Sequence, residues 1–242
     1  MNAIQTQALT KRYREKTAVD ALELTVRQGE LLALLGVNGA GKTTTVKMLS
    51  GLLRPTSGDA EVLGHRLTTQ TQEVKKRINL SPQETAVAPK LTVRENLELI
   101  AGIYGSTRRE AKTRAAAMLE EFHMQAIAGQ KAGTLSGGWQ RRLSIAMALI
   151  SEPEILFLDE PTLGLDVLAR RELWEVIRGL KGRVSVILTT HYLEEAAALA
   201  DRVAVMAQGR LRICGTVQEL LDAAGTQDFE EAFIRLAGGT AQ

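Results

Sequence analysis

The run Leu31-Leu32-Ala33-Leu34-Leu35 is continuously apolar and passes directly into Gly36-Val37-Asn38-Gly39-Ala40-Gly41-Lys42-Thr43. Such a run lacks the alternation of a half-exposed strand, so it reads as a strand buried on both faces. The stretch that follows fits G-x-x-x-x-G-K-[ST], and a helical pattern, Lys42 to Leu53, comes after it. Its residue types suit a phosphate cradle. Glycines let several backbone N–H groups turn toward one centre, and the helix directs its positive end to the same point. The Lys42 ammonium would reach the outer phosphates, the Thr43 hydroxyl could ligate Mg2+, and Thr44 offers a further hydroxyl.

A buried strand needs neighbours. Ile155 to Leu158 and Val184 to Leu188 have the same character, and Leu173, Trp174, Ile177 and Leu180 fall at helical spacing between them. Strands alternating with helices predict a parallel sheet covered by helices. Upstream, Ile4 to Leu9 and Ala21 to Val26 alternate as strands, with a turn at Arg27-Gln28-Gly29. Val203 to Met206 and Leu211 to Cys214 flank Ala207-Gln208-Gly209-Arg210, which predicts a hairpin.

From about Leu91 to Ile150 the pattern changes to three helical segments without a good strand. Thr92-Val93-Arg94-Glu95 and Thr107-Arg108-Arg109-Glu110 each have capping-box spacing and predict helix starts. This segment reads as a helical lobe inserted into a sheet domain. In the tail, Phe229, Phe233 and Leu236 share one helical face that would pack on the body.

Composition excludes several classes. A chain of 242 residues with 45% hydrophobic and 24% charged residues can bury a core without staples. Its 30 basic and 28 acidic residues leave a net charge of +2, so no nucleic-acid partner is expected, and Arg108 to Arg114 reads as a solvated helix face. Cys214 is the only cysteine, which suits a reducing compartment and a buried, inert thiol. The N-terminus lacks a signal-peptide pattern, and no apolar window is long enough to span a membrane. A membrane role would therefore come through a partner.

Asp159-Glu160 ends one buried run, where ligands of open α/β sheets sit. Asp159 could hold Mg2+ through water, and Glu160 could polarise an attacking water. Taken alone, the pair could equally be acidic residues at a helix start before Pro161.

Leu135-Ser136-Gly137-Gly138-Trp139-Gln140, just upstream of that strand, resembles the signature motif of the ATP-binding cassette (ABC) ATPases. Other motifs of the family follow its order. Tyr13 matches the adenine-stacking aromatic, although it could simply cover a strand. Gln83 in Leu80-Ser81-Pro82-Gln83-Glu84 matches the Q-loop, Leu163-Gly164-Leu165-Asp166 resembles the D-loop, and His191 after Thr189-Thr190 matches the switch histidine. The resemblance runs from about Ile4 to Leu221.

It implies a P-loop NTPase (RecA-like) α/β fold with a parallel-sheet core, an N-terminal antiparallel β subdomain and an inserted α-helical subdomain. The whole chain, 1–242, would be one ATPase domain. Within it, 1–84 and 151–221 would form the nucleotide-binding lobe, 85–150 the helical signature lobe, and 222–242 a helical tail. It also implies ATP and Mg2+ as ligands, with Glu160, His191 and Gln83 in catalysis and Thr43, Gln83 and Asp159 at the metal. Tyr13 and Gly36, Asn38, Gly39, Ala40, Gly41, Lys42, Thr43 and Thr44 would bind ATP within one subunit. Ser136, Gly137, Gly138 and Asp166 would reach the ATP of a second subunit, in a homodimer or heterodimer.

Trp139 and Leu163 depart from the family pattern, where glutamine and serine are usual, which bears on coupling between the two sites. The helical lobe and the tail Phe229-Glu230-Glu231-Ala232-Phe233 resemble exporters of drugs, antibiotics and polysaccharides. That subgroup implies an integral-membrane permease on a separate chain and a cytoplasmic protein held peripherally at the inner face of the membrane. Other readings stay open at this level: a soluble ABC ATPase acting in protein or cluster assembly or on nucleic acid, and a nucleotide-gated module without turnover.

Overall fold

The computed structural model describes residues 1–238. The elements, in chain order, are β1 (Asn2–Tyr13), β2 (Lys16–Leu22), β3 (Thr25–Arg27), β4 (Leu31–Leu35), α1 (Lys42–Leu49), β5 (Ser57–Val62), β6 (His65–Arg66), α2 (Thr71–Arg77) and β7 (Ile78–Ser81). The helical stretch brings α3 (Val93–Ile103), α4 (Arg108–Glu121) and α5 (Gly137–Leu149). Then follow β8 (Ile155–Asp159), α6 (Val167–Arg178), β9 (Ser185–Thr190), α7 (Leu193–Leu199), β10 (Arg202–Ala207), β11 (Arg210–Gly215), α8 (Val217–Ala224) and α9 (Phe229–Leu236).

One sheet has the order β11-β10-β4-β9-β8-β7, parallel except for the β10–β11 hairpin. The other is antiparallel, β2-β1-β5-β6, with β3 also paired to β1. The continuous apolar runs are explained by burial on both faces. Along β8, Ile155 and Phe157 join a core shared with α1 and the antiparallel sheet, whereas Leu156 and Leu158 join the core under α3–α6. Chain pattern, fold and element order are those of an α/β P-loop NTPase with an antiparallel β layer and a helical insertion.

Both expected capping boxes are formed. Thr92 and Thr107 each accept the N–H of the glutamate three residues on, and that glutamate accepts the cap's own N–H. Phe229, Phe233 and Leu236 of α9 pack on the core beneath β10 and α8. The last four residues of the expected tail, 239–242, lie outside the described residues. Cys214 is half-buried, accepts from Arg202 Nη2 at 2.9 Å, and has its thiol pushed up by burial.

Two local expectations need correction, and one motif residue leaves a possible bond unmade. The strand expected over Ala21 to Val26 is interrupted at Glu23 and Leu24. There the Thr6 hydroxyl replaces the ladder, donating to Leu22 O at 2.6 Å and accepting from Leu24 N at 2.7 Å. The helix expected over Lys42 to Leu53 stops at Leu49, because Gly51 turns the chain with φ +68° and both Leu52 and Leu53 N–H fold back to Lys47 O. Ser136 takes the N-cap position of α5, yet its side chain makes no capping hydrogen bond.

Candidate functional site

Register brings the site together. Leu35 of β4 pairs with Thr190 of β9, and Asp159 of β8 pairs with Thr189 of β9. The next residues, Gly36, His191 and Glu160, therefore leave three adjacent strands at one edge of the sheet, where open α/β sheets hold ligands. A cleft of about 440 Å³ opens there, lined by Asn38 to Thr44, Gln83, Glu160 and His191, with Tyr13 on its outer wall.

The loop from Gly36 to Gly41 has little steric choice. A side chain at Gly36 would collide with the Met206 carbonyl, and one at Gly41, where φ is +105°, would lie 2.6 Å from Ala18 O. The helix that follows has no side-chain cap and no acidic residue in its first turn. Its leading N–H groups, at residues of the cleft lining, thus make a ready anion site. The Lys42 side chain curls back over the loop, donating to Gly36 O at 2.6 Å.

Glu160 sits between two cationic or donor groups. Its Oε1 lies 3.3 Å from Lys42 Nζ, in a pair whose side chains are 6% and 8% exposed. Its Oε2 accepts from His191 Nδ1 at 2.6 Å. A carboxylate oxygen accepts, so Nδ1 is the donor in this pair, and His191 lines the cleft. The backbone of Glu160 is in the left-handed region, φ +49°, which a non-glycine residue adopts only when its surroundings enforce it. Thr189 is one such constraint: the Glu160 N–H donates to Thr189 O at 3.1 Å and to Thr189 Oγ1 at 3.0 Å.

Asp159 points the other way. Its Oδ1 accepts from Thr189 Oγ1 at 2.5 Å and from Thr43 Oγ1 at 3.1 Å, joining the acidic end of β8 to the glycine-rich loop. Sequence reasoning passed over Thr189, for which the adjacent Thr-Thr-His was the only signal. It also missed Lys16 and Ala18, which line the cleft because β2 folds back beside Tyr13.

The remaining motif residues lie away from this cleft. Ser136 and Gly137 are exposed at the start of α5, and Asp166 is exposed as the N-cap of α6, accepting from Ala169 N at 2.9 Å. None of Ser136, Gly137, Gly138 and Asp166 lines the cleft of its own chain. Of the two departures, Trp139 lies under the Arg142 guanidinium at 4.5 Å, and Arg142 pairs with Glu172 of α6 at 3.0 Å. Leu163 reaches the rim of the cleft. His65 and His123 take no part in it.

A family model described as ABC transporter matches residues 19–163, more than half of the chain. The chain belongs to the ABC transporter family. It is an ABC ATPase: an ATP-binding, ATP-hydrolysing subunit with the P-loop NTPase fold. Among similar proteins, the daunorubicin resistance ATP-binding protein DrrA3 of Streptomyces coeruleorubidus is 44% identical over 98% of this chain and 75% of its own length. The linearmycin resistance ATP-binding protein LnrL of Bacillus subtilis is 40% identical over 92% of this chain and 72% of its own.

Solved structures agree with the ABC ATPase fold. The ATP-binding subunit of an ABC transporter superposes with a TM-score of 0.84 at 29% identity, covering 97% of this chain and 99% of its own. A dimeric, post-hydrolysis state of the cassette MJ0796 bound to ADP and Pi gives 0.79 at 25% identity, covering 88% and 98%. Among the described residues, no helix of this ABC ATPase is long and apolar enough to cross a membrane.

Proposed function

We propose that this ABC ATPase powers an exporter, acting as a dimer of cassettes bound to a separate integral-membrane permease, and so lies at the inner face of the membrane. The observation that carries the catalytic part is the Glu160 carboxylate, held between Lys42 and His191 at the mouth of the phosphate loop. In this reading the N–H groups from Gly39 to Thr44 and the Lys42 ammonium hold the phosphates of ATP, with Gly36, Asn38 and Ala40 shaping the loop. Tyr13, 47% exposed beside the cleft, stacks on the adenine.

Glu160 would accept the proton of the attacking water, and the His191 hydrogen bond holds the carboxylate so that its remaining lone pairs face that water beside the γ-phosphate. The residues present fit Mg2+. Thr43 Oγ1 and Asp159 Oδ1 are 3.1 Å apart, and the described residues contain no cluster of three or more His, Cys, Asp or Glu groups that would cage a metal by themselves. Such a sparse oxygen set suits an ion shared with phosphates. Thr43, Asp159 and Gln83 would hold it, and it would supply charge neutralisation on the β- and γ-phosphates.

Dimerisation is supported by what the chain leaves unused. Ser136 makes no cap bond, and Leu163, Val167 and Leu168 around Asp166 are 41%, 62% and 75% exposed. We assign Ser136, Gly137, Gly138 and Asp166 to the ATP of the second subunit, whether identical or not. A permease contact is supported by α3. Buried Asn96 ties the segment after Gln83 to this helix, accepting from Ala88 N at 2.8 Å and donating to Thr92 O at 2.9 Å. Leu99 and Ile103 of the same helix, and Tyr104 at its C-cap, are exposed. Export follows from the relatives, which are named for daunorubicin and linearmycin resistance and for Nod factor export.

The domain division follows the same reading: 1–84 with 151–221 as the nucleotide lobe, 85–150 as the lobe that addresses the permease and the second subunit, and 222–242 as a tail. The test is Glu160→Gln. With Mg-ATP it is expected to bind nucleotide, lose turnover and run as a dimer in size exclusion; a monomer under those conditions contradicts the two-cassette mechanism.

A further inference from the structure

One turn into α5, Arg141 is 4% exposed and spends its whole guanidinium on backbone carbonyls. Its Nε donates to Pro161 O at 2.8 Å and its Nη2 to Asp159 O at 2.8 Å. Its Nη1 donates to Pro82 O and, at 3.2 Å, to Gln83 O. These carbonyls form two pairs. Asp159 and Pro161 flank Glu160 on either side, and Pro82 and Gln83 begin the loop that carries Gln83. Arg141 makes no salt bridge among the described residues, although burial pulls it down to about 10 while Asp159 and Glu195 act against that fall. It therefore remains a cation at neutral pH, buried and matched only by carbonyl dipoles at contact distance.

A buried charge without a contacting carboxylate is an expensive way to fill a core. A planar fork, however, can satisfy carbonyls in several directions at once, which no other side chain does. Glu160 sits in the left-handed region, and its own N–H is anchored to Thr189. With the carbonyls before and after it held by Arg141, the backbone of Glu160 is fixed from both sides of the strand end.

We propose that Arg141 is a positioning residue that locks the Glu160 turn and the Gln83 loop into one rigid unit carried by α5. The inference rests on the reading of Glu160 as the hydrolytic carboxylate. A lysine at this position keeps the charge but gathers its donors on one nitrogen, so it cannot span both carbonyl pairs.

The experiment compares the full chain with Arg141→Lys, Arg141→Gln and Glu160→Gln. Mg-ATP affinity, kcat, KM and thermal unfolding are measured, together with amide hydrogen exchange over residues 79–86 and 158–164. For Arg141→Lys, nucleotide affinity and KM are expected within about threefold of the parent. Its kcat should fall at least about 30-fold, since a displacement near 1 Å of a reacting group can cost about 100-fold, and exchange should quicken in both segments together. A kcat within twofold of the parent, or faster exchange in only one segment, overturns the bridge. Failure of both Arg141 variants to fold assigns the residue to stability alone and also overturns it. An active Glu160→Gln refutes the hydrolytic reading instead, whereas an inactive Glu160→Gln beside an active Arg141→Lys refutes only the role of Arg141.

Discussion

His191 donates through Nδ1 to the Glu160 carboxylate at 2.6 Å, across the gap between adjacent strands β9 and β8. Asp159 pairs with Thr189, so His191 leaves β9 one residue beyond the level of Glu160, whose left-handed backbone, φ +49°, turns at the end of β8. The hydrogen bond fixes the direction in which Glu160 faces the phosphate loop, and it makes separable predictions for each neighbour.

His191→Ala should leave ATP affinity within about threefold, because the loop N–H groups and Lys42 are untouched. Turnover should fall about 100-fold, within the range expected when a general base loses its orientation. Steady-state ATPase assays with a parallel binding measurement check this. A proportional loss of both would mean that His191 acts in binding rather than in hydrolysis.

Lys42→Ala should weaken ATP binding about 10- to 100-fold, the loss of charge-assisted hydrogen bonds worth about 1.5–3 kcal/mol. It also strands the Glu160 carboxylate, since the ion pair at 3.3 Å disappears. Binding of a fluorescent nucleotide analogue reads the affinity, and undiminished binding would remove Lys42 from the phosphate site.

Ser136→Ala should separate the two subunits' roles. Because Ser136 makes no capping bond in its own chain, helix stability and nucleotide binding by the monomer should be unchanged. Turnover, which in the proposed two-cassette mechanism needs both subunits, should fall about 10-fold, the scale of one hydrogen bond to a charged group. If monomer binding were lost instead, the serine would act within its own subunit.

Glu195 gives a pH test. Its carboxyl is fully buried, receives Trp174 Nε1 at 3.1 Å, and faces the Thr162 and Thr190 hydroxyls, with Glu160 beyond. Burial raises it above the ordinary value of 4.5. The folded chain thus holds this proton more tightly than the unfolded one. Its stabilising contribution is complete below pH 4.5 and is lost as pH rises through the folded value. Glu195→Gln should therefore gain stability relative to the parent between pH 5 and pH 8. Urea unfolding at the two pH values measures it, and a pH-independent difference would exclude an ionising Glu195.

Much of this was legible in the chain because it depends on local pattern. The apolar runs of β4, β8 and β9 and the glycine-lysine loop between β4 and α1 carry their meaning in consecutive residues. The boxes at Thr92 and Thr107 do the same, since a helix start is decided within four residues. Legibility failed where a distant atom made the choice. The interruption of the strand expected at Ala21 to Val26 depends on a hydroxyl at Thr6, and Lys16 and Ala18 reach the cleft only because β2 pairs back onto β1.

The sequence alone determined the phosphate loop, the acidic strand end, the family and the helical insertion, because each is written in short-range spacing of residue types. It could not determine that β9 lies between β4 and β8, although that order sets His191 beside Glu160 and Thr189 against Asp159. Nor could it assign Arg141, whose carbonyl partners lie up to 59 residues away along the chain. Strand order and buried polar partners are settled by long-range packing, in which every donor must find an acceptor once water is excluded, and only the tertiary structure decides which one.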